Sequence, residues 1–110
     1  MHTVLLNRMY INGEWVKSIT NKELTVTNPA NGQQIANVPY GGKEDAKAAV
    51  DAAYAAFPKW SSKTADERSH LLKRWHDHIL DNKNDIAETM VLEQGKPLKE
   101  AMGEVTYAAN

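Results

Sequence analysis

The sequence predicts an α/β chain in which two β-hairpins, at about 9–40, precede four α-helices, at about 43–109. Within the first part, Asn-Gly and Asn-Pro turn signals separate short β-favouring runs. From Lys43 onward, apolar residues recur every three or four positions, which is the spacing of one helix face. A length of 110 residues, with 42% hydrophobic and 25% charged residues, is typical of one globular domain.

The first hairpin is predicted from Asn12-Gly13, because both central residues of a type I′ turn need positive φ. The second hairpin is predicted from an alternating β-branched run that is followed by Asn28-Pro29 and Asn31-Gly32. The expected strands are 9–11 and 14–17 in the first hairpin, and 24–27 and 34–39 in the second.

The first helix is predicted from Lys43 to Phe57, and Pro58 is expected to end it. Its apolar face comprises Ala46, Ala49, Val50, Ala53, Ala56 and Phe57. The second helix, at about 64–80, is predicted from Thr64 and Glu67, whose spacing forms a capping box. Its apolar stripe comprises Leu71, Leu72, Trp75 and Ile79.

The third helix is expected to begin after Asn82 and to stop at Gly95, where a left-handed residue satisfies the last carbonyls. Pro97 suits the first turn of the fourth helix, because its missing N–H would have no partner there. The apolar positions are Ile86, Ala87, Met90 and Val91 in the third helix, and Leu98, Ala101, Met102, Val105 and Ala108 in the fourth. This last stripe still runs at the end of the sequence, but Asn110 can cap a helix, so the pattern alone does not establish truncation.

Composition excludes several classes of function. A formal net charge of −1 provides no one-signed field for nucleic acid or a membrane surface. The absence of cysteine excludes disulfides and cysteine nucleophiles within these residues. The opening nine residues, with the apolar run Val4-Leu5-Leu6, lack the pattern of a secretion signal, and no run is long enough to span a membrane. A cytoplasmic location is therefore predicted.

The residues alone predict no catalytic or metal site. His76 and His78 are two apart, so they point to different sides of their helix. Glu44-Asp45 and Asp66-Glu67 fall in first turns, where the helix dipole favours acidic caps. Ser61-Ser62 is interpreted as a helix start, and Gly41-Gly42 as the hinge between a strand and a helix.

Five segments occur in the order known from one enzyme family. They are Tyr-Ile-Asn-Gly-Glu-Trp at 10–15, Thr-Asn-Pro-Ala-Asn-Gly at 27–32, the helix from 43 with Pro-Lys-Trp at 58–60, Thr-Ala-Asp-Glu-Arg at 64–68, and Leu-Glu-Gln-Gly-Lys-Pro-Leu at 92–98. The chain thereby resembles the NAD(P)-dependent aldehyde dehydrogenases. The last segment is similar to succinate-semialdehyde dehydrogenases, and glutarate-semialdehyde enzymes look similar there.

The resemblance implies an aldehyde dehydrogenase fold in which these residues are peripheral to a Rossmann-type cofactor domain, within a homodimer or homotetramer. It implies oxidation of a small aldehyde through a cysteine thiohemiacetal, hydride transfer to NAD or NADP, and thioester hydrolysis with a glutamate as base. The family's catalytic cysteine, glutamate and asparagine and its cofactor-binding segments lie beyond residue 110. No catalytic or cofactor-binding residue is therefore assigned, and residues 1–110 are expected to be inactive and to bind no cofactor without the remainder of the chain.

The resemblance also implies a monovalent cation site at Val26, Thr27 and Glu93. Several family members hold such a cation through oxygens at the matching positions, and oxygen ligands suit a hard cation.

Two hypotheses remain open at this stage. In the first, the chain is the N-terminal portion of a semialdehyde dehydrogenase, packed on the rest of that enzyme. In the second, it is a stand-alone, non-catalytic interaction module derived from the same family. Neither the particular semialdehyde nor the choice between NAD and NADP follows from these residues.

Overall fold

The computed structural model describes residues 7–110. The prediction made for the opening segment falls largely on residues 1–6, which lie outside the described residues. The expected two hairpins and four helices are confirmed. The elements are β1 (Met9–Ile11), β2 (Glu14–Val16), β3 (Glu23–Thr27), β4 (Gln34–Pro39), α1 (Lys43–Ser61), α2 (Ala65–Asp81), α3 (Lys83–Gln94) and α4 (Leu98–Ala109).

The described residues form two compact units. One, here the α2–α4 unit, contains 64–110 together with the turn segment 27–35. The other, here the α1 unit, contains 36–63 and the described residues up to Val26. Across residues 7–110, no helix has the length and apolar character needed to cross a membrane.

The β1–β2 hairpin has the predicted two-residue turn. Asn12 and Gly13 have φ values of 54° and 78°, so both lie in the left-handed region that a type I′ turn requires. The strands pair antiparallel, with Tyr10 opposite Trp15. The two rings pack with centroids 4.8 Å apart, which is a favourable distance for a tilted aromatic pair.

Helix α1 extends past the predicted end at Pro58, which lies inside it. That prediction was wrong because a proline near a helix end removes one backbone hydrogen bond without blocking the turn that follows. The turn is closed by the Ser62 N–H, which donates to the Pro58 carbonyl at 3.1 Å. Both serine hydroxyls donate backward, from Ser61 to Pro58 O at 3.2 Å and from Ser62 to Lys59 O at 2.9 Å. They therefore end α1, and their interpretation as a helix start was also wrong.

Helix α2 begins with the predicted capping box. The Thr64 hydroxyl accepts from the Glu67 N–H at 3.1 Å, and the Glu67 carboxylate accepts from the Thr64 N–H at 3.0 Å. Two N–H groups that have no partner inside the helix are thus satisfied reciprocally.

The buried apolar cluster of the α2–α4 unit lies where α3 meets α4. Ala87, Ala101 and Val105 are at most 2% exposed. Partly buried side chains surround them, namely Ile79, Met90, Val91 and Met102. Small residues at the centre allow close approach of the two helices. The helix faces predicted for α3 and α4 therefore supply this cluster.

Candidate functional site

Two of the motifs that the sequence singled out meet in the α2–α4 unit. The Asn28-Pro29 turn lies against the α3–α4 connection, because a Cβ built on Gly95 would be 3.2 Å from Pro29 Cγ. Gly95 has φ of 75°, as predicted for a left-handed helix cap. Glycine is thus favoured at this position by its backbone conformation, and also because Pro29 leaves little room for a side chain.

The α3–α4 connection is fixed by its own contacts. The Gly95 N–H donates to the Val91 carbonyl at 2.8 Å. Pro97 is the N-cap of α4, one position earlier than predicted, and its carbonyl accepts from the Ala101 N–H at 3.1 Å. The Lys96 ammonium forms an ion pair with the Glu104 carboxylate on α4. This segment, which carried the resemblance most specifically, is therefore a hydrogen-bonded connection between α3 and α4.

The turn that faces it is also internally hydrogen-bonded. The Asn28 side-chain oxygen accepts a hydrogen bond from the Ala30 N–H at 2.9 Å. This contact forms an Asx turn with Pro29 at its centre. The Asn28 N–H donates to the Gln33 carbonyl at 2.8 Å, and the Asn31 side-chain oxygen accepts from the Gln33 N–H at 2.9 Å. The turn therefore presents a fixed surface to Gly95.

The residues predicted to hold a cation occupy the borders of these motifs. Val26 is half-buried and Thr27 is exposed, both at the end of β3. Glu93 is exposed, one residue before the last residue of α3. No group of three or more His, Cys, Asp or Glu side chains within 7–110 is arranged to hold a metal ion. A site built from backbone carbonyls and one carboxylate is a different case, so the cation site stays a prediction.

The α1 unit contains a buried acidic residue, Asp45, at the start of its helix. Asp45 and Ser18 are only 5% and 3% exposed. The Asp45 carboxylate accepts from the Gly42 N–H at 3.0 Å, the Ile19 N–H at 3.0 Å and the Ser18 hydroxyl at 2.8 Å. Three donors thus satisfy one carboxylate, which ties the 18–21 loop to the N-terminus of α1.

These contacts favour the ionised form of Asp45. The Gly42 N–H, the Ile19 N–H and the Ser18 hydroxyl, in decreasing order of effect, lower the pKa of Asp45 below its ordinary value of 3.8, while burial opposes them. The first-turn cap was predicted from Glu44-Asp45, but Ser18 was missed. Its only signal in the sequence was a short run of turn-forming polar residues after β2, which specifies no distant partner.

The apolar faces of α1 and α2 remain largely exposed. On α1, all six residues of the predicted face are exposed, and Val50 and Phe57 retain 66% and 62% of their surface. On α2, Trp75 lines a groove with Leu72, Ile79 and Ala108. A second groove, between α3 and α4, is lined by Glu88, Val91, Leu92 and Leu98. Exposed apolar side chains on one helix face are available for packing against further polypeptide.

Ser61, Ser62 and His76 each have a hydrogen-bond partner close to them in the sequence. Ser61 and Ser62 donate to backbone carbonyls, as given above, so neither is activated by a base. His76 Nδ1 lies 3.0 Å from an oxygen of the adjacent, exposed Asp77 carboxylate. The arrangement builds turns and helix caps and leaves apolar faces for packing.

Comparison with known proteins identifies relatives along most of the chain. The family model described as "Aldehyde dehydrogenase family" matches residues 15–110. The chain is 46% identical over 100 residues to "Succinate-semialdehyde dehydrogenase [NADP(+)] GabD" of Escherichia coli (strain K12), a match that covers 91% of this chain and 21% of that protein. It is also 46% identical over 101 residues to "Glutarate-semialdehyde dehydrogenase" of Pseudomonas putida KT2440, with coverage of 92% and 21%.

The fold is also similar to a solved structure. The crystal structure of succinate-semialdehyde dehydrogenase from Burkholderia pseudomallei superposes with a TM-score of 0.91 at 41% identity. That match covers 99% of this chain and 23% of the solved chain. The chain therefore spans about a fifth of the length of the curated relatives it matches.

Proposed function

Because the chain belongs to the aldehyde dehydrogenase family, we propose that it serves as the N-terminal part of an enzyme that oxidises an aldehyde to the carboxylic acid with NAD or NADP. In this role it is a scaffold without catalytic groups of its own. The remainder of an aldehyde dehydrogenase chain would cover the apolar faces of α1 and α2 and contribute the cysteine, glutamate and asparagine.

The observation that carries the proposal is the continuous family match over residues 15–110. The contact between Pro29 and Gly95 supports it, because two separated motifs of the resemblance form one packed junction. The exposed faces support the scaffold role, since a helix normally buries its apolar stripe.

For the substrate we propose succinate semialdehyde. The proposal rests on the segment 92–98 and on the named activity of the Escherichia coli relative. Glutarate semialdehyde is the alternative, because the Pseudomonas putida relative is equally identical. Both compounds are small aldehydes that carry a carboxylate. The proposed substrate class is therefore the same in either case.

The Gly41-Gly42 segment does not fit a dinucleotide phosphate. The Gly41-Gly42 turn leads from a strand into α1, a place where a phosphate can bind. The Gly42 N–H is, however, already hydrogen-bonded to the Asp45 carboxylate. A phosphate there would meet a buried negative charge. Cofactor binding is thus proposed for the remainder of the enzyme.

Three further features belong to the same proposal. A monovalent cation would be held by oxygens of Val26, Thr27 and Glu93. We also propose a homodimer or homotetramer and a cytoplasmic location, on the basis of the family resemblance.

A chimaera tests the function directly. Residues 15–110 would replace the matching segment of the Escherichia coli relative, and NADPH formation from succinate semialdehyde would be followed by absorbance. We expect kcat/KM within about tenfold of the parent enzyme, since the scaffold contributes no reacting group. Residues 1–110 alone should form no NADPH.

The matched controls are Gly95→Val and Gly103→Ala in the chimaera. The first should lower the yield of active enzyme, because Gly95 has positive φ and contacts Pro29. The second should not, because a Cβ at Gly103 would meet nothing within 4 Å. A chimaera that folds and assembles but is inactive would contradict the proposed function, as would turnover by residues 1–110 alone.

A further inference from the structure

The chain has two Asn-Gly pairs at hairpin turns, and their environments differ. Asn12-Gly13 forms the two-residue turn between β1 and β2, and Asn31-Gly32 lies in the turn between β3 and β4. Both asparagines are exposed, and the space around both glycines is open, with nothing within 4 Å of an added Cβ. Exposure and space therefore do not distinguish the two pairs.

Hydrogen bonding does distinguish them. The Gly32 N–H donates to the Asn28 carbonyl at 2.7 Å. The Asn31 side chain is held at both ends, since its oxygen accepts from the Gln33 N–H at 2.9 Å and its amide nitrogen lies 3.5 Å from the Gln33 side-chain oxygen. Among residues 7–110, neither the Asn12 side chain nor the Gly13 N–H has such a partner.

We propose that Asn12 is a site of spontaneous deamidation and isomerisation, whereas Asn31 is protected by its turn. The backbone nitrogen of Gly13 attacks the side-chain carbonyl carbon of Asn12, and a five-membered succinimide closes. The new C–N bond replaces the bond to the side-chain amide nitrogen, which leaves as ammonia with the proton lost by Gly13. Solvent water then opens either ring carbonyl, giving aspartate or isoaspartate without oxidation or reduction.

The hairpin geometry favours this step. Ring closure needs rotation of the peptide that joins Asn12 to Gly13. The type I′ and II′ turns differ by such a rotation, and both connect antiparallel strands by two residues. Both turn types need a positive φ at the first central residue, and Asn12 has a φ of 54°. The second central residue changes the sign of φ between the two types, which Gly13 accepts. The reactive arrangement is thus reached while β1 and β2 stay paired.

The reaction at Asn31 requires more disruption. Both the Gly32 N–H and the Asn31 side-chain oxygen must first lose a hydrogen bond. Breaking two hydrogen bonds of ordinary net strength adds to the barrier for the reaction at Asn31. The deamidation rate at Asn31 should therefore be at least about tenfold lower than at Asn12. Isoaspartate at position 12 would add a backbone atom to the turn and disturb the pairing of Tyr10 with Trp15.

The test incubates the purified protein at mildly alkaline pH and 37 °C and follows both asparagines by peptide mass spectrometry, with isoaspartate separated by chromatography. A parallel incubation in concentrated urea measures the deamidation rates of both asparagines in the unfolded chain. We expect Asn12 to react at least about tenfold faster than Asn31 in the native protein, and the two rates to converge in urea. Equal native rates, faster reaction at Asn31, or a difference that persists in urea would overturn the proposal.

A variant provides a second measurement. Gly13→Ala places a methyl group beside the attacking nitrogen and disfavours the positive φ, so deamidation of Asn12 should slow markedly while Asn31 is unchanged. An unchanged Asn12 rate in this variant would also count against the mechanism.

Discussion

Helices α4 and α1 carry the same kind of apolar stripe, but the described residues bury only one of them. Ala101 and Val105 of α4 are 0% and 2% exposed, because α3 packs on them. On α1, the positions with equivalent spacing remain open to solvent. Periodicity therefore identifies which face of a helix is apolar, while the partner of that face is specified by other parts of the chain.

Enlarging one alanine on each helix should reveal the difference in burial most strongly. Ala101→Leu inserts three heavy atoms where α3 and α4 touch, so we expect it to lower the free energy of unfolding by about 1–3 kcal/mol. Ala53→Leu, on the exposed face of α1, should change it by less than about 0.5 kcal/mol. Urea unfolding followed by circular dichroism measures both, and equal losses would refute the assigned difference in burial.

The two helical connections can be compared by one substitution at two glycines. Gly95→Ala should cost about 1–2 kcal/mol, because alanine is strained at positive φ and its methyl would press on Pro29. Gly103→Ala, inside α4 with open space around it, should instead stabilise the protein by about 0.5–1 kcal/mol. The thermal midpoint should therefore fall in Gly95→Ala and rise in Gly103→Ala. A gain at Gly95 would show that its left-handed conformation is not required.

The capping box of α2 offers a smaller test within the α2–α4 unit. Thr64→Ala removes the acceptor for the Glu67 N–H and should cost about 1 kcal/mol. Thr64→Ser retains the hydroxyl and should recover most of that loss. Unfolding curves of the three proteins provide the measurement, and equal stability of the alanine and serine variants would contradict the observed cap.

The last prediction concerns how the stability of the α1 unit changes as the pH falls. Because the folded pKa of Asp45 lies below 3.8, its stabilisation is complete above that value and is lost as the pH falls through the lower folded pKa. Asp45→Asn should therefore lose less stability than the wild type on acidification below about pH 4. Thermal midpoints from pH 6 to pH 2.5 compare the two proteins, and parallel profiles would contradict the assigned role.

Local signals predicted most of this fold. The Asn12-Gly13 turn, the Thr64 cap and the Gly95 stop each depend on a few neighbouring residues, and each was confirmed. The end of α1 was placed too early at Pro58, because a proline's effect depends on how the following residues satisfy the last carbonyls. Ser61 and Ser62 do so with their hydroxyls, a role that the dipeptide does not specify.

Features that join distant residues were harder to predict. The contact of Ser18 with Asp45 and that of Pro29 with Gly95 connect separate turns, and neither has a periodic signature. Resemblance to a family, unlike local pattern, did associate the Asn28-Pro29 turn with the segment around Glu93. The cation proposed there depends on carbonyl oxygens, which every residue carries, so residue types alone could not reveal it.

We propose that the exposed face of α1 is covered by the remainder of an aldehyde dehydrogenase chain. Amide hydrogen exchange, measured on residues 1–110 alone and on the chimaera with the Escherichia coli enzyme, tests it most directly. We expect the amides of α1 to exchange at least about tenfold more slowly in the chimaera, with a smaller change in α3, whose contacts with α4 already exist. Equal exchange of α1 in both proteins would contradict the claim.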